Sequence, residues 1–398
     1  MTSAHFPSFF LTRLARLQNL RHSIWWLVGL LWFIMIAPAQ AALELRVGIQ
    51  SGAGQVKVGS STKAVVRDGT GRPLGEIAAM NAFMAKSDQG KVVLDRWQAG
   101  QIWVEPAAGG YVFIGDRWYR GRALVIPTSK GLTAVNYVDL EHYLYSVLGA
   151  EMSGSWPQEA LKAQAVAARS YALYSRQRAA NAPFDLGDTA AWQVYRGISD
   201  ESVGTQAAVN ATRDQVVTYQ GQIIEAVFHS SAGGCTENVE DVWVQPLPYL
   251  RSVREPFTEK SPVAQWTQTF SQSELSNLIA DVGTVLSLQP EKTTACGRVV
   301  SMRVEGDKGQ RVISGDTLRE ALNLRSTLFV ITPQAATTAS KSVTASASVL
   351  FQVSGRGFGH GLGLSQWGAH NLASQGANYQ QILMFYYTNT QLAKIQVK

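Results

Sequence analysis

Glu151 is a carboxylate at a position where the surrounding pattern predicts an apolar core residue. The residue lies at the C-terminal end of a predicted helix, beside unpaired carbonyl oxygens that carry negative partial charge. Burial and that partial charge both disfavour ionisation, so we expect a raised pKa for Glu151. A carboxyl group that stays protonated near neutral pH is what a general acid requires. The alternative is an exposed glutamate that follows the end of an apolar stripe. The stripe has the spacing of one helix face and consists of Leu140, Tyr143, Leu144, Val147 and Leu148.

A second predicted helix follows this one after a short break. Gly154 interrupts the first helix, Ser155 is a suitable N-cap, and Pro157 suits a first helical turn, where its missing N–H costs nothing. The helix body is rich in alanine. Lys162 and Arg169 are seven residues apart and so share one face. Two cations on a small, apolar helix suit an anionic or hydroxyl-rich ligand, and a solvated helix face is the alternative.

Two later segments each combine a histidine with glycines. His229 ends a predicted hairpin strand and is followed by Ser230, Ser231 and two glycines, whose N–H groups can approach a ligand. A histidine with a purely structural role is the alternative for this position. In the second segment, His360 stands among glycines that recur at every second residue. A phosphate-binding loop is not predicted there, because no Lys-Ser/Thr pair follows the glycines. We instead expect the backbone to pass close to a groove and to expose His360.

Three segments in this order resemble the signature of the SpoIID/LytB family, which comprises stage II sporulation protein D and related amidase enhancers. They read LGAEM with SWPQEALKAQAVAARSYAL, then FHSSAGGCTENVEDVW from Phe228, and GRGFGHGLGLSQWGA from Gly355. The resemblance implies a lytic transglycosylase that cleaves peptidoglycan glycan strands and leaves 1,6-anhydro-muramyl ends. It assigns the single catalytic acid to Glu151 and places His360 and Gln366 in the substrate groove. The other branch of the family implies an alternative, a non-catalytic wall-binding module that enhances a partner amidase.

On this basis we expect peptidoglycan glycan strands as the partner, and a cell-wall amidase as a second candidate partner. The full set of predicted substrate-binding residues is Lys162, Arg169, His229, Ser230, Ser231, His360 and Gln366. Arg169 is also a candidate to support Glu151, which would lower the pKa of the acid and oppose the effect of burial.

Composition excludes several other classes of protein. Apolar residues make up 46% and charged residues 16% of the 398 residues, which favours folded domains over disorder. The net charge of +6 is mild and partly due to the N-terminal segment, so it is no sign of nucleic-acid binding.

Residues 1–41 are predicted to be a secretory signal peptide. Basic residues precede an apolar run of 13 residues, Ile24–Ile36, and Ala39 and Ala41 supply a small-x-small cleavage site. The apolar run is short for a membrane span of about 20 residues, and an uncleaved N-terminal anchor is the alternative. Either outcome predicts an exported protein, in the periplasm or the cell wall.

The chain has two cysteines, Cys235 and Cys296. In an exported protein they are expected to form a disulfide or to remain free thiols. A zinc site that uses His229 and Cys235 is the rival interpretation, since some members of the family hold a metal near this motif. The spacing lacks the CxxC pattern typical of zinc, so no metal ligand or cofactor is assigned.

The predicted fold class is α+β, with a helical pair packed on mixed β-sheets around a substrate groove. Short alternating segments separated by Gly, Asp and Ser predict a β-rich N-terminal region over residues 42–135. Residues 136–398 are predicted to form the SpoIID-like catalytic domain. Within it, the polar, low-complexity residues 333–348 are predicted to be a surface loop.

Overall fold

The computed structural model describes Thr2 and residues 43–395, apart from residues 181, 244, 256–260 and 336–348. The predicted leader therefore lies outside the described residues, except for Thr2. Most of the predicted loop 333–348 also lies outside them, and residues 333–335 belong to a strand. No helix in the described part of the chain is long and apolar enough to cross a membrane.

Two antiparallel sheets dominate the first hundred described residues, as their alternating sequence predicts. The first sheet has the order β13-β1-β12-β11-β8-β3-β4, with β13 added later in the chain, and the second has the order β10-β9-β2-β5-β6-β7. Leu45 and Val47 of β1 are fully buried, because alternate residues of a strand face the same side. The strands are β1 (Glu44–Ala53), β2 (Gln55–Ser60), β3 (Ala64–Asp68), β4 (Pro73–Ile77), β5 (Asn81–Asp88), β6 (Lys91–Leu94), β7 (Trp97–Ala99), β8 (Ile102–Pro106), β9 (Val112–Ile114), β10 (Arg117–Tyr119), β11 (Arg122–Thr128), β12 (Gly131–Asp139) and β13 (Leu186–Gly187).

Strand β12 joins this region directly to the helices. It pairs along its length with β1, and it runs through the predicted boundary between residues 135 and 136. Helix α1 (Leu140–Glu151) follows at once, because the Asp139 carboxylate accepts hydrogen bonds from the backbone N–H groups of Glu141 and His142. The β-rich region therefore sets the direction in which α1 points.

Helix α2 (Gln158–Arg178) is the long central helix, and it packs against α1 and three later helices. These are α3 (Val203–Ala211), α7 (Gln366–Ser374) and α8 (Tyr379–Tyr386). Its alanines are buried along most of its length, as close helix packing requires. The prediction that Ser155 caps α2 is wrong. Pro157 occupies the N-cap position, and the Ser155 hydroxyl instead contacts that of Ser153 at 2.9 Å.

The predicted hairpin after α3 is only partly correct. Strand β14 (Gln215–Tyr219) turns into β15 (Gln222–Ile223), but the second strand ends after two residues, and β24 (Gln391–Lys394) pairs with the other edge of β14. The chain then forms β16 (Phe228–His229), which pairs in parallel with β23 (Leu364–Ser365). This short pairing brings the two histidine-containing segments together.

Residues 265–356 form two three-stranded sheets with their own apolar core. The core gathers apolar side chains of both sheets and of helix α6, among them Leu288, Val304, Leu318 and Val353. The elements of this segment and of the loop before it are α4 (Val239–Val242), β17 (Gln265–Ser271), α5 (Gln272–Leu278), β18 (Val285–Thr293), β19 (Val299–Gly306), β20 (Gly309–Ser314), α6 (Gly315–Ala321), β21 (Phe329–Ala335) and β22 (Val349–Arg356). The mixture of helices with antiparallel and mixed sheets confirms the predicted α+β class.

Candidate active site

Glu151 is the last residue of α1, and its carboxyl group has two hydrogen-bond donors. The backbone N–H of Val194 donates to Oε1 at 3.2 Å, and the Gln366 side-chain amide donates to Oε2 at 3.0 Å. Burial raises the pKa of Glu151, against the opposing effects of these two bonds and of the more distant Arg196. The side chain is therefore held in place and biased toward its protonated form.

A cavity of about 530 Å³ opens at this carboxyl group. Its walls come from parts of the chain that lie far apart in sequence: the end of α1, α2, the loop after β13, the β16 segment, the end of α4, α6 and the glycine-rich segment that leads to α7. The lining residues are Glu151, Tyr171, Ala190, Ala191, Trp192, Val194, Val227, Phe228, His229, Ser230, Trp243, Arg319, Phe358, Gly359, His360 and Gln366. A cavity of this size with a few polar groups suits a small or extended organic ligand.

The two histidines of the cavity lie beside each other, with ring centroids 5.3 Å apart. The backbone N–H of Leu362 donates to Nδ1 of His360 at 3.0 Å, so that ring is protonated on Nε2, which donates to the Phe228 carbonyl. Nδ1 of His229 lies 3.0 Å from the Leu362 carbonyl and must carry the hydrogen. Nε2 of His229 is thus left as a buried acceptor, with no hydrogen-bond partner among the described residues.

Both histidines are held neutral by their surroundings. Burial and, to a smaller extent, the nearby Arg298 lower the pKa of His360 to about 4. Burial, His360 and Arg298 together lower the pKa of His229 well below its usual value. The histidines therefore present fixed hydrogen-bonding groups near neutral pH and no positive charge.

The alternating glycines explain how these rings come so close to each other. Gly359 has a φ of +106°, and a Cβ at this position would lie 2.7 Å from Cβ of His229. A Cβ at Gly361, with a φ of +81°, would meet the Arg298 guanidinium at 2.4 Å. The prediction that the backbone passes closely through this segment matches the structure, but His360 is half-buried instead of exposed.

Arg298 supports both histidine segments, a role that no local pattern in the sequence indicates. Its guanidinium donates to the carbonyls of Gly359 at 3.1 Å and Ala232 at 3.0 Å. It also lies 3.7 Å from the Glu237 carboxylate, and both side chains are 1% exposed. Burial lowers the pKa of Arg298 to about 10, which leaves it charged at neutral pH. One buried cation thus ties the segment after β16 to the glycine-rich segment.

Comparison with known proteins identifies the family. A family model described as stage II sporulation protein matches residues 128–219, and a domain of unknown function, DUF8618, matches residues 252–363. Stage II sporulation protein D of Bacillus subtilis is 33% identical over 281 residues, which cover 66% of this chain and 76% of that protein. This chain belongs to the SpoIID family. Membership links it to a role related to the cell wall.

Two further relatives show the breadth of this family. An uncharacterized protein of Brachyspira hyodysenteriae is 32% identical over 284 residues, covering 71% of this chain and 74% of that protein. The amidase enhancer of Bacillus subtilis is 32% identical over 291 residues, covering 63% of this chain and 40% of that protein. The resemblance of the three segments to both branches of the SpoIID family is therefore confirmed.

Four of the predicted substrate-binding residues line the cavity in the structure. His229, Ser230, His360 and Gln366 all line it together with Glu151. Ser231 does not, because its side chain is fully buried and its backbone pairs with that of Phe358.

The two predicted cations of α2 are not brought into the cavity. Arg169 is fully buried and binds the Glu141 carboxylate with two hydrogen bonds of 2.8 and 2.6 Å. It therefore neither contacts Glu151 nor faces a ligand, and the prediction for it is wrong. Lys162 pairs with Glu159 at 2.7 Å near the start of the same helix, outside the cavity lining. Helical spacing correctly predicts residues on one face, but it does not indicate what that face packs against.

Cys235 and Cys296 form a disulfide, with Cα atoms 6.3 Å apart. The sulfur of Cys235 is thus bonded to carbon and sulfur and is not free as a zinc ligand, which removes one of the two residues of the rival interpretation. Among the described residues, no cluster of three or more His, Cys, Asp or Glu side chains is arranged around a metal position. The bond joins the segment after β16 to the loop before β19, and Arg298 belongs to the same loop.

Three exposed aromatic side chains line the cavity, and the sequence did not single them out. Trp192 is 42%, Trp243 37% and Phe358 45% exposed. The Trp243 ring lies 5.3 Å from that of His360. Large exposed apolar groups gathered at one opening mark a binding surface, and flat rings suit the apolar faces of sugar residues.

Proposed function

We propose that this chain cleaves the glycan strands of peptidoglycan as a lytic transglycosylase, with Glu151 as its single general acid. The observation that carries the proposal is the Glu151 carboxyl group. It lies in a cavity, it is fixed by two donors, and burial raises its pKa. A glycosidase needs such a group, because the leaving oxygen must be protonated as the glycosidic bond breaks.

The reaction balances with this one residue. Glu151 gives its proton to the glycosidic oxygen, and the bond between that oxygen and the anomeric carbon breaks. The 6-hydroxyl oxygen of the same muramyl residue bonds to the anomeric carbon, and its proton passes to the Glu151 carboxylate. The products are a 1,6-anhydro-muramyl end and a new hydroxyl end. No water is consumed, and the acid is restored for the next cycle.

Gln366 suits both protonation states of Glu151. Its amide nitrogen donates to the carboxylate, and its amide oxygen can accept from the protonated acid after the amide group rotates. The Val194 N–H holds the other carboxyl oxygen throughout. The proton is therefore directed without a second carboxylate. Glu240, a carboxylate close in sequence to His229, binds Arg251 and does not line the cavity.

The neutral histidine of β16 offers a group that can orient the attacking hydroxyl. Nε2 of His229 is a buried acceptor without a partner among the described residues. A sugar hydroxyl that donates to it would satisfy this atom, which otherwise carries a desolvation cost of about 1–3 kcal/mol. The exposed aromatic rings at the opening support the sugar character of the ligand.

The test compares Glu151→Gln with the wild type on purified glycan strands. Mass spectrometry of the digests should show 1,6-anhydro ends for the wild type and a loss of at least about a hundredfold for the variant, since general acid catalysis contributes roughly 10²–10⁴-fold. Glu240→Gln is the matched control and should retain activity. Normal anhydro products from Glu151→Gln would refute the mechanism.

The second candidate function is the enhancement of a cell-wall amidase. The similarity to the amidase enhancer favours it, and a sugar-binding cavity serves it equally well. In that case Glu151→Gln would still stimulate the amidase, whereas substitutions of the cavity aromatics would abolish binding to the wall. Export to the periplasm or cell wall is part of both proposals. The disulfide supports it, because disulfides persist in oxidising compartments.

A further inference from the structure

Arg319 lies on α6 and is the one Lys or Arg among the described residues that line the cavity. It comes from the segment that matches the domain of unknown function, outside the match to the stage II sporulation protein model. Neither the three family segments nor the proposed reaction uses this side chain. Its position beside the proposed acid site therefore calls for an explanation.

The guanidinium of Arg319 has no hydrogen bond and no ion pair with any residue that the structure describes, and its Nε atom is buried without a partner. Three other partly or fully buried arginines among the described residues do have acidic or carbonyl partners. Arg169 binds Glu141, Arg120 binds Glu201, and Arg298 binds carbonyls beside Glu237. A partly buried, unmatched cation costs folding free energy, because it loses water without gaining an acceptor. An anionic ligand that bound to this guanidinium would supply the missing acceptor.

The charges around Arg319 favour an anionic ligand further. Its guanidinium lies near enough to His360 and Arg298 to lower the pKa of both. The histidines are neutral, and burial biases Glu151 toward its uncharged acid form. A ligand carboxylate in this cavity would therefore meet the Arg319 cation, and Glu151 is the one acidic side chain among the described lining residues.

We propose that Arg319 binds a carboxylate of the glycan substrate and thereby selects muramyl-containing strands over neutral sugars. This inference rests on the proposed function and adds the substrate feature that the cavity recognises. A planar guanidinium forms paired hydrogen bonds with a carboxylate, which a neutral sugar cannot supply. Two sources offer this group. One is the lactyl carboxylate of a muramyl residue without its stem peptide, and the other is a carboxylate of the stem peptide itself.

The experiment measures binding in the Glu151→Gln background, so that no turnover interferes. Three probes are titrated by calorimetry: stem-free glycan strands, strands that carry stem peptides, and neutral N-acetylglucosamine oligomers of similar length. Arg319→Met keeps much of the side-chain volume and removes the charge. Arg303→Met, in an exposed pair with Glu291 on the same segment, is the matched control.

We expect Arg319→Met to weaken binding of the carboxylate-bearing strand by roughly 10- to 100-fold. Binding of the neutral oligomers should be unchanged, and Arg303→Met should bind like its parent. A loss with stem-free strands assigns the lactyl carboxylate, and a loss confined to peptide-bearing strands assigns the stem peptide. Equal losses on all probes, no loss on either charged probe, or no preference of the parent for charged strands would overturn the proposal.

A second arm guards against a folding defect in the variant. Stem-free strands with methylated carboxyl groups are titrated against the parent protein, which has Arg319 intact. They should bind about as weakly as unmodified strands bind to Arg319→Met, if the lactyl group is the ligand. The two proposals fail separately. Loss of the preference for carboxylate-bearing strands in these titrations overturns the carboxylate site, whereas normal anhydro products from Glu151→Gln in digests refute the catalytic proposal.

Discussion

The buried ion pair of Arg169 and Glu141 allows a quantitative test of whether Arg169 stabilises the fold or binds a ligand. Arg169 is 0% and Glu141 3% exposed. Arg169→Met would leave the Glu141 carboxylate buried without its partner, which costs about 3–5 kcal/mol. The variant would also remove donors from the Gln215 carbonyl at 3.0 Å and, more weakly, the Val209 carbonyl at 3.4 Å. We therefore expect the upper part of that range.

The double variant Arg169→Met/Glu141→Leu separates these contributions. Replacing both partners of a buried ion pair by apolar residues is often close to neutral. The unpaired carbonyls then account for the remaining loss, which we expect to be about 1–3 kcal/mol. Urea unfolding of the single and double variants measures the coupling between the two sites. Glycan binding of the folded variants should stay within a few-fold of the wild type.

Lys162→Met is the control on the same helix, because its ion pair with Glu159 is partly exposed and worth about 0.2–1 kcal/mol. If Arg169→Met unfolded with nearly wild-type stability but lost glycan binding, our interpretation would be wrong. Arg169 would then be a substrate ligand, as the helical spacing alone suggested. A near-equal destabilisation of the single and double variants would also contradict the role assigned to the pair.

Three further predictions follow from the site. Burial raises the pKa of Glu151 and so opposes its ionisation in the folded state. The stability of the wild type should therefore fall relative to that of Glu151→Gln as the pH rises from about 4 to about 8. Melting temperatures of both proteins over this range test the sign of the effect. Replacing Cys235 and Cys296 by serine should cost about 4 kcal/mol in urea unfolding, from the loop entropy of 61 residues. Gly359→Ala should abolish cleavage because the new Cβ meets the histidine of β16, whereas Gly376→Ala, with a similar positive φ but open space around it, should cost stability alone.

Local patterns were sufficient to predict the elements that carry the acid. The apolar stripe of α1 predicted a helix that ends at Glu151, and the structure ends it there. The alternation within residues 42–135 likewise predicted a β-rich region, and strands β1 to β11 lie there. These features depend on neighbours within one or two turns or along one strand, which is the distance over which helical and strand periodicity acts. The raised pKa of Glu151 was also predicted, since burial and helix position are both visible in the pattern.

Contacts across the chain could not be predicted from such patterns. The second strand of the predicted hairpin ends at Ile223, and Phe228 and His229 pair in parallel with a segment that starts at Leu364, far along the sequence. The partner of Arg169 is Glu141, a residue of the preceding helix that no spacing within α2 reveals. Arg298 and Arg319 lie in segments whose local sequence resembles ordinary strand and helix ends. Their roles arise only when residues 265–356 pack beside the histidines.

The division of the site between two sequence matches has a physical consequence for the acid. Residues 128–219 supply Glu151 and the Val194 N–H, whereas Gln366 and His360 come from the glycine-rich segment at and beyond the end of the second match. The first match alone would leave one oxygen of Glu151 without its side-chain donor and the carboxyl group without most of its cavity. Burial is the largest cause of the raised pKa of Glu151, and most of the residues that line the cavity beside it lie outside residues 128–219. The buried carboxyl group therefore depends on the assembly of both segments, and Arg298, which ties the two histidine segments together, helps to hold that assembly.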